Sequence, residues 1–162
     1  MGPGAQHVRP GPKRRRSASG RVRRGLRSGP MRTWRDGDGT LTVGTDSATG
    51  SEGQAVPLRI AASYRARTKG LLGRDGVEGA MMLTPCGSVH TFRMRFPIDV
   101  AYLDRKFTVL AVTTMKPGRL GLPRLRARHV VEAEAGAMER WGVRPGVRLE
   151  LKAAPATAPD RP

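Results

Sequence analysis

The chain has 162 residues, a single cysteine and a formal net charge of +17. This length is enough for one domain of modest size, and the lone Cys86 excludes an internal disulfide and a zinc site built from several cysteines. The longest apolar runs, such as residues 109–112, are far shorter than the roughly 20 residues that cross a bilayer, so we expect no membrane span.

The positive charge is unevenly distributed along the chain. Residues 1–30 contain nine Lys or Arg and no acidic residue, whereas residues 31–162 contain 21 basic and 13 acidic residues. Because residues 1–30 also carry almost no apolar side chains, they predict a disordered basic tail, and Met31 is a candidate alternative start. No signal peptide of the usual form is visible, which favours a cytoplasmic location.

The first predicted elements lead into the domain. Residues 36–55, rich in Gly, Asp, Ser and Thr, are typical of a hairpin or loop. Residues 56–61 predict a strand. Ser63 is a suitable N-cap for a short helix over residues 64–72, which Gly73 ends.

The middle of the chain predicts four strands. Residues 80–83 form one, and residues 88–96 form a second, with His90 among apolar side chains on one face and arginines on the other. Residues 98–103 resume the pattern after a proline. Residues 109–115 form a nearly continuous apolar run, which is typical of a central strand.

The last predicted elements are a strand, a helix and a strand. Residues 130–135 predict a strand, residues 137–141 a two-turn helix, and residues 147–151 a half-buried strand in which apolar and charged side chains alternate. Residues 153–162, rich in Pro and Ala, predict a frayed tail.

Together these elements predict a mainly β (α+β) fold. We expect a compact curled sheet or small β-barrel of six to seven short strands with two short peripheral helices, over residues 31–152. The sequence has no phosphate loop and no dinucleotide-binding glycine motif, and one of its three histidines, His7, lies in the basic tail. We therefore expect no cofactor, no metal site and a monomer.

His90 and Asp99 are the first candidate catalytic or ligand-binding residues. On the predicted strands both share a face with apolar side chains. A carboxylate removed from water needs hydrogen-bond donors, and the nearest donors in sequence are His90, Thr91, Arg93 and Arg95. We therefore expect Asp99 to pair with one of them. Such a pair either fixes the strand register in the core or orients a general base.

Cys86 is the third candidate catalytic residue. It lies four residues before His90 and could act as the nucleophile in a thiol-dependent version of that chemistry. On an extended strand the two positions would be about 13 Å apart, so they meet only if the loop between them folds back. The alternative is a small, inert apolar side chain.

A segment interrupted by Gly and Pro supplies a candidate anion-binding rim of four arginines, Arg119, Arg124, Arg126 and Arg128. With His90, Thr91 and Asp99 they make up the predicted ligand-binding residues. The alternative for the arginines is a solvated surface.

Three segments in matching order resemble the bacterial and archaeal family 192 of domains of unknown function. They are LRIAASYRARTKGLLGR at 58–74, VHTFRMRFPIDVAYLD at 89–104 and VVEAEAGAMERWGVRPGVRL at 130–149. The resemblance covers about residues 56–151, is of the actinobacterial type, and implies a compact β-rich domain with short peripheral helices. The family has no established reaction, so the resemblance implies no catalytic role for any residue.

Three classes of function stay open from the sequence. The first is a non-enzymatic accessory or binding domain for a small polar or anionic ligand, or for an envelope- or pilus-related protein partner that the resemblance suggests. The second is a hydrolase or transferase that uses His90 and Asp99, with or without Cys86. The third is nucleic-acid contact, which we expect only through the basic tail because the rest of the chain offers few aromatic rings for base stacking.

Overall fold

One mixed sheet of seven strands organises the computed structural model, which describes residues 33–44 and 53–155. The elements in chain order are β1 (Gly37–Val43), β2 (Gln54–Ala61), α1 (Tyr64–Lys69), β3 (Ala80–Leu83), β4 (Ile98–Leu103), β5 (Val109–Met115), β6 (His129–Glu134), α2 (Ala137–Arg140) and β7 (Glu150–Ala153).

The strand order in the sheet is β5-β4-β6-β3-β2-β1-β7. Among the described strands β2 and β3 are the one parallel pair, and every other neighbouring pair is antiparallel. The sheet curls without closing: Val109 donates its backbone N–H to Val147 at 2.8 Å, and Leu149 donates to Phe107 at 3.0 Å, so the two ends of the sheet approach each other at one corner. The expected curled, mainly β sheet is confirmed, and the closed barrel is not.

Most predicted elements are present, with shifted ends, but β5 lies at an edge of the sheet, so the expectation of a central strand there is wrong. Ser63 caps α1, because its hydroxyl oxygen accepts a hydrogen bond from the Ala66 N–H at 3.1 Å. The helix stops at Gly70 rather than Gly73, since Gly70 has a φ of 42°, a conformation that favours glycine. The last strand runs to Ala153 instead of ending at residue 151.

The predicted strand over residues 88–96 is wrong. The segment makes one isolated bridge, between His90 and Leu120, and then turns, with the Met94 N–H donating to the Thr91 carbonyl at 3.2 Å. Arg93 has a φ of 61°, which an extended strand does not allow. The predictions for residues 1–30, for Met31 and for the end of the C-terminal tail lie outside the described residues.

Both faces of the central strands are covered. All four residues of β3 and all six of β4 are buried, and alternate side chains enter two separate apolar clusters. On the first face lie Met82, Val131 and Met138 of α2. On the second face lie Leu83 and Val130, together with side chains from α1 and the long loops.

Asp99 is a buried structural acid that ties two strands and α2 together. Its carboxylate accepts hydrogen bonds from the Thr114 hydroxyl at 2.6 Å, the Gly136 N–H at 2.8 Å and the Met138 N–H at 3.1 Å. It is 3% exposed. The burial expected of Asp99 is confirmed, and its side chain therefore links β4 to β5 and to the start of α2.

The expected pairing of Asp99 with His90, Thr91, Arg93 or Arg95 is wrong. The donors that satisfy it come from residues 15 to 39 positions further along the chain. Arg95 pairs instead with Asp75, at 2.6 Å on the surface.

We expect Asp99→Ala to lower the free energy of unfolding by about 2–3 kcal/mol, because the Thr114 hydroxyl and the N–H groups of Gly136 and Met138 lose their acceptor. Asp75→Ala is the matched control, since its ion pair with Arg95 is exposed and should contribute little to stability. Chemical denaturation of both variants measures the difference. Equal losses would contradict the structural role of Asp99.

Candidate functional site

A cavity of about 210 Å³ lies on the second face of the sheet. Its walls come from α1 with the turn that follows it, from the loop after β3, and from the sheet beneath. Leu71, Leu83 and Met94 supply apolar wall, and Glu132 of β6 supplies a carboxyl group at the floor. The cavity therefore combines an apolar lining with one acidic group, as small-molecule sites do.

Glu132 lies at the centre of the sheet. In register it is flanked by Met81 of β3 and Val100 of β4, and it is 4% exposed. Burial alone raises the pKa of Glu132 from its usual value of 4.5 to about 7, because a charged carboxylate is poorly tolerated away from water. Within residues 33–44 and 53–155 its carboxyl has no hydrogen-bond or charged partner.

The turn after α1 brings backbone close to this carboxyl group. A Cβ atom placed on Gly70 would lie 3.9 Å from the Oε2 of Glu132 and 3.5 Å from the Arg67 carbonyl oxygen. The end of the helix thus closes one side of the cavity.

Two cations of α1 line the cavity, Arg67 and Lys69. The Arg67 guanidinium is half-buried and fixed, because its Nη1 donates to the Ala62 carbonyl and, at 3.4 Å, to the Thr84 carbonyl. The cavity thus has a cationic side as well as an acidic floor.

Cys86 lines the same cavity with its thiol half-buried. Its Sγ donates to the Ser88 carbonyl at 3.1 Å. Burial raises the pKa of the Cys86 thiol, and the nearby charge of Glu132 acts in the same direction. At neutral pH the sulfur is therefore protonated, which is the opposite of an activated nucleophile.

His90 also borders the cavity, but it is exposed rather than buried. Its ring stacks on Phe92 with 5.2 Å between ring centroids. The expectation that His90 points into the core is wrong, because the segment turns at Thr91 instead of continuing as a strand.

The other predicted binding residues do not line this cavity. Thr91 is fully buried, and its hydroxyl donates to the Lys116 carbonyl at 2.6 Å and accepts from the Arg119 N–H at 2.8 Å. Asp99 borders a different cavity of about 310 Å³ beside Thr114 and α2. The structure therefore brings Cys86 and His90 together and separates Asp99 from them.

The four arginines of the predicted rim lie on an exposed loop: Arg119, Arg124, Arg126 and Arg128. The Arg124 guanidinium carbon is 5.3 Å from the centroid of the Tyr102 ring. Arg128 donates to the carbonyls of Leu125 and Ala127 at 3.1 and 3.0 Å. These four arginines do not border the cavity; the cations that do are Arg67 and Lys69 of α1.

Sequence reasoning missed Glu132. In the segment VVEAEA, two glutamates alternate with small apolar residues, a pattern typical of a strand with one solvated face. Glu134 fits that interpretation and is exposed, but Glu132 sits two residues earlier where α1 and the long loops cover the sheet. The one signal in the sequence that could have revealed the site is the position of Glu132 in the middle of a six-residue strand, where an acidic side chain is unusual if both faces are covered.

The described residues, 33–44 and 53–155, contain no candidate metal site: no group of three or more His, Cys, Asp or Glu side chains among them could hold a metal ion. In the same ranges no helix is long and apolar enough to cross a membrane.

The family model of DUF192, described as an uncharacterised ACR, matches residues 46–151. A match over more than half of the chain establishes the family: the chain belongs to DUF192, and the resemblance read from the three sequence segments is confirmed. The family description names no activity.

Relatives from two species match most of their own length. A UPF0127 protein of Pyrococcus horikoshii is 37% identical over 87 residues, which are 51% of this chain and 76% of the relative. A UPF0127 protein of Pyrococcus furiosus is 32% identical over 100 residues, which are 59% of this chain and 86% of the relative.

Two solved structures share the fold. A protein of unknown function from Novosphingobium aromaticivorans has a TM-score of 0.58 at 20% identity and covers 68% of this chain and 83% of its own. A protein from Sinorhizobium meliloti, with the provisional description of transcription regulator, has a TM-score of 0.55 at 18% identity and covers 72% and 95%. At these identities the likeness concerns the fold alone.

Glu132 predicts a pH-dependent stability. Because its pKa is about 7 in the folded protein and its usual value is 4.5, the folded state binds the extra proton between these values. The contribution of Glu132 to the free energy of unfolding is therefore greatest below about pH 4.5, falls as the pH rises to about 7, and is flat above; the loss from this group is on the order of 3 kcal/mol.

The measurement is chemical denaturation at about pH 5 and about pH 8. We expect Glu132→Gln to remove most of the stability difference between the two conditions. Glu134→Gln, on the same strand and exposed, should keep it. A wild-type difference that survives Glu132→Gln would show that another group is responsible.

Proposed function

We propose that this DUF192 protein is a binding domain that takes one small polar molecule into the cavity on the second face. The observation that carries the proposal is the Glu132 carboxyl, which lines the cavity, is 4% exposed and has no partner in the described part of the chain. Burial disfavours the charged form of this carboxyl and raises its pKa, which is a free-energy cost to the ionised protein. A ligand that donates a hydrogen bond or a positive charge to Glu132 would recover that cost.

The lining narrows the chemistry of the ligand. Glu132 suits an ammonium or hydroxyl group, whereas Arg67 and Lys69 on the cationic side suit a carboxylate or phosphate. A volume of about 210 Å³ lies below the range of roughly 300–1,000 Å³ that drug-sized ligands occupy. The best candidate is therefore a metabolite-sized molecule with a donor group at one end and an anionic group at the other.

An enzyme that uses the same cavity is the second candidate. A carboxyl with a pKa of about 7 is matched to general acid–base catalysis at neutral pH, and His90 and Ser88 line the cavity with it. The arrangement favours Glu132 over Asp99 as the acid or base of such a hydrolase or transferase, since Asp99 is already bonded to Thr114 and α2.

The sequence also predicts two kinds of macromolecular partner, nucleic acid and an envelope or pilus protein. Nucleic-acid contact through residues 1–30 concerns residues outside the described part of the chain. An envelope- or pilus-related partner rests on the family resemblance.

We expect a panel of amino acids, hydroxy acids, sugar acids and sugar phosphates to contain a compound that raises the thermal unfolding midpoint. A ligand at about 100 times its dissociation constant adds about 2.7 kcal/mol of stability, which is a shift of about 5 °C or more. Glu132→Gln should weaken that ligand by about tenfold or more, because the hydrogen bond to a charged group is lost.

The matched control is Glu134→Gln, which leaves the cavity lining intact and should bind like the wild type. Silence across the panel, or unchanged affinity in Glu132→Gln, would contradict the binding proposal. Chemical conversion of the bound compound that Glu132→Gln abolishes and Cys86→Ser preserves would favour the enzyme.

A further inference from the structure

Three leucines in one loop face solvent. Leu120, Leu122 and Leu125 are 70%, 78% and 90% exposed, and they lie within the loop between β5 and β6, residues 116–128, which we call the basic loop. Single exposed leucines are common on soluble proteins. Three of them within six positions of one loop are more than scattered exposure gives, and exposed apolar clusters mark interaction sites.

The exposure does not come from a loose backbone. The Gly121 N–H donates to the Val89 carbonyl at 2.8 Å, the Arg124 N–H donates to the Gly87 carbonyl at 2.8 Å, and the Thr91 N–H donates to the Arg119 carbonyl at 2.8 Å. These bonds fix the basic loop along its length against residues 87–91. The leucines are therefore presented outward by an ordered main chain.

Gly121 explains why the two leucines beside it point away from the protein. Its backbone packs closely on the second face, where a Cβ atom would lie 2.7 Å from the Tyr102 hydroxyl and 3.0 Å from the Val89 carbonyl oxygen. Because residue 121 faces the protein, Leu120 and Leu122 on either side are turned to solvent.

The same loop is strongly cationic. It carries five exposed basic side chains, Lys116, Arg119, Arg124, Arg126 and Arg128. The sequence has no acidic residue between Asp104 and Glu132. None of the ion pairs within the described residues involves these five cations, so their charges are available to a partner.

We propose that the basic loop docks this protein on the surface of an anionic lipid bilayer. Leu122 and Leu125 enter the boundary between headgroups and acyl chains, and the neighbouring arginines contact lipid phosphates while their aliphatic stems stay in the apolar layer. Each cation near an anionic leaflet raises the affinity by about fivefold. This proposal does not depend on the ligand cavity.

The exposure values favour a bilayer over the other partners. Leucine offers no ring for stacking on bases, so the surface is ill suited to nucleic acid. Side chains that are 70% to 90% exposed project into solvent and make few contacts with their neighbours. A fluid apolar phase beneath a layer of phosphates matches both the leucines and the arginines.

Vesicle sedimentation of the full chain tests the proposal. We expect binding to phosphatidylcholine vesicles that contain phosphatidylglycerol and little binding to pure phosphatidylcholine. Leu122→Ser combined with Leu125→Ser keeps the net charge, so residues 1–30 contribute equally, and should weaken binding by about tenfold or more. Both positions are exposed, and an unchanged circular dichroism spectrum confirms that the double variant is folded.

Vesicle binding by two pairs of Arg→Gln substitutions shows whether the cations of the basic loop contribute more than cations elsewhere. Arg124→Gln with Arg126→Gln should weaken binding by about 25-fold. Arg140→Gln with Arg144→Gln removes the same charge beside α2, which packs on the first face, and should change binding much less. Equal effects of the two pairs would mean that net charge alone drives adhesion and would overturn the docking surface.

Leu125→Trp reports insertion directly. Its fluorescence emission should shift to shorter wavelength on saturating anionic vesicles by more than the wild-type emission does, and quenchers placed in the acyl region should reduce it. The proposal is overturned if the wild type stays in the supernatant with anionic vesicles, if the double serine variant binds as well as the wild type, or if the new tryptophan stays in water.

Discussion

The central strands of the sheet are covered on both faces, and this constraint decides what an acidic side chain can do there. Asp99 on β4 and Glu132 on β6 are 3% and 4% exposed, on opposite faces. Asp99 meets three donors, one hydroxyl and two backbone N–H groups, so its carboxyl oxygens have their hydrogen-bond partners within the fold. Glu132 meets no donor in the described part of the chain, and burial raises its pKa to about 7. The first acid belongs to the scaffold, whereas the second is available to whatever enters the cavity.

The topology of the sheet explains why the cavity forms beside Glu132. Antiparallel neighbours can be joined by tight turns, but the parallel pair β2 and β3 needs a crossover that leaves the sheet and returns. The short helix α1 and the turn at Gly70 supply this crossover and cover part of the second face. Since α1 has only six residues, it leaves a gap that the loop after β3 borders on the other side. The carboxyl lies at the bottom of that gap because β6 is the neighbour of β3.

The sequence predicts the elements whose signals are local and misses the features that depend on distant partners. Ser63 was recognisable as a helix cap because its acceptor and donor are three residues apart. Residues 88–96 alternate like a strand, yet Thr91 bonds to main chain 25 and 28 residues away and Arg93 turns the segment at a φ of 61°. Neither partner can be read from the segment itself. Glu132 was missed for the same reason, since the groups that bury it come from α1 and from strands elsewhere in the chain.

The cavity beside Glu132 and the basic loop are connected through one piece of main chain. Residues 86–90 border the cavity through Cys86, Ser88 and His90, and the carbonyl groups of Gly87 and Val89 in the same stretch hold the basic loop by hydrogen bonds of 2.8 Å. The buried Thr91 hydroxyl adds two more bonds to the basic loop, one to the Lys116 carbonyl and one from the Arg119 N–H. A displacement of residues 86–90 towards or away from Glu132 would stretch these short bonds or carry the basic loop with it, because bonds of this length tolerate little change. The two surfaces are therefore mechanically joined.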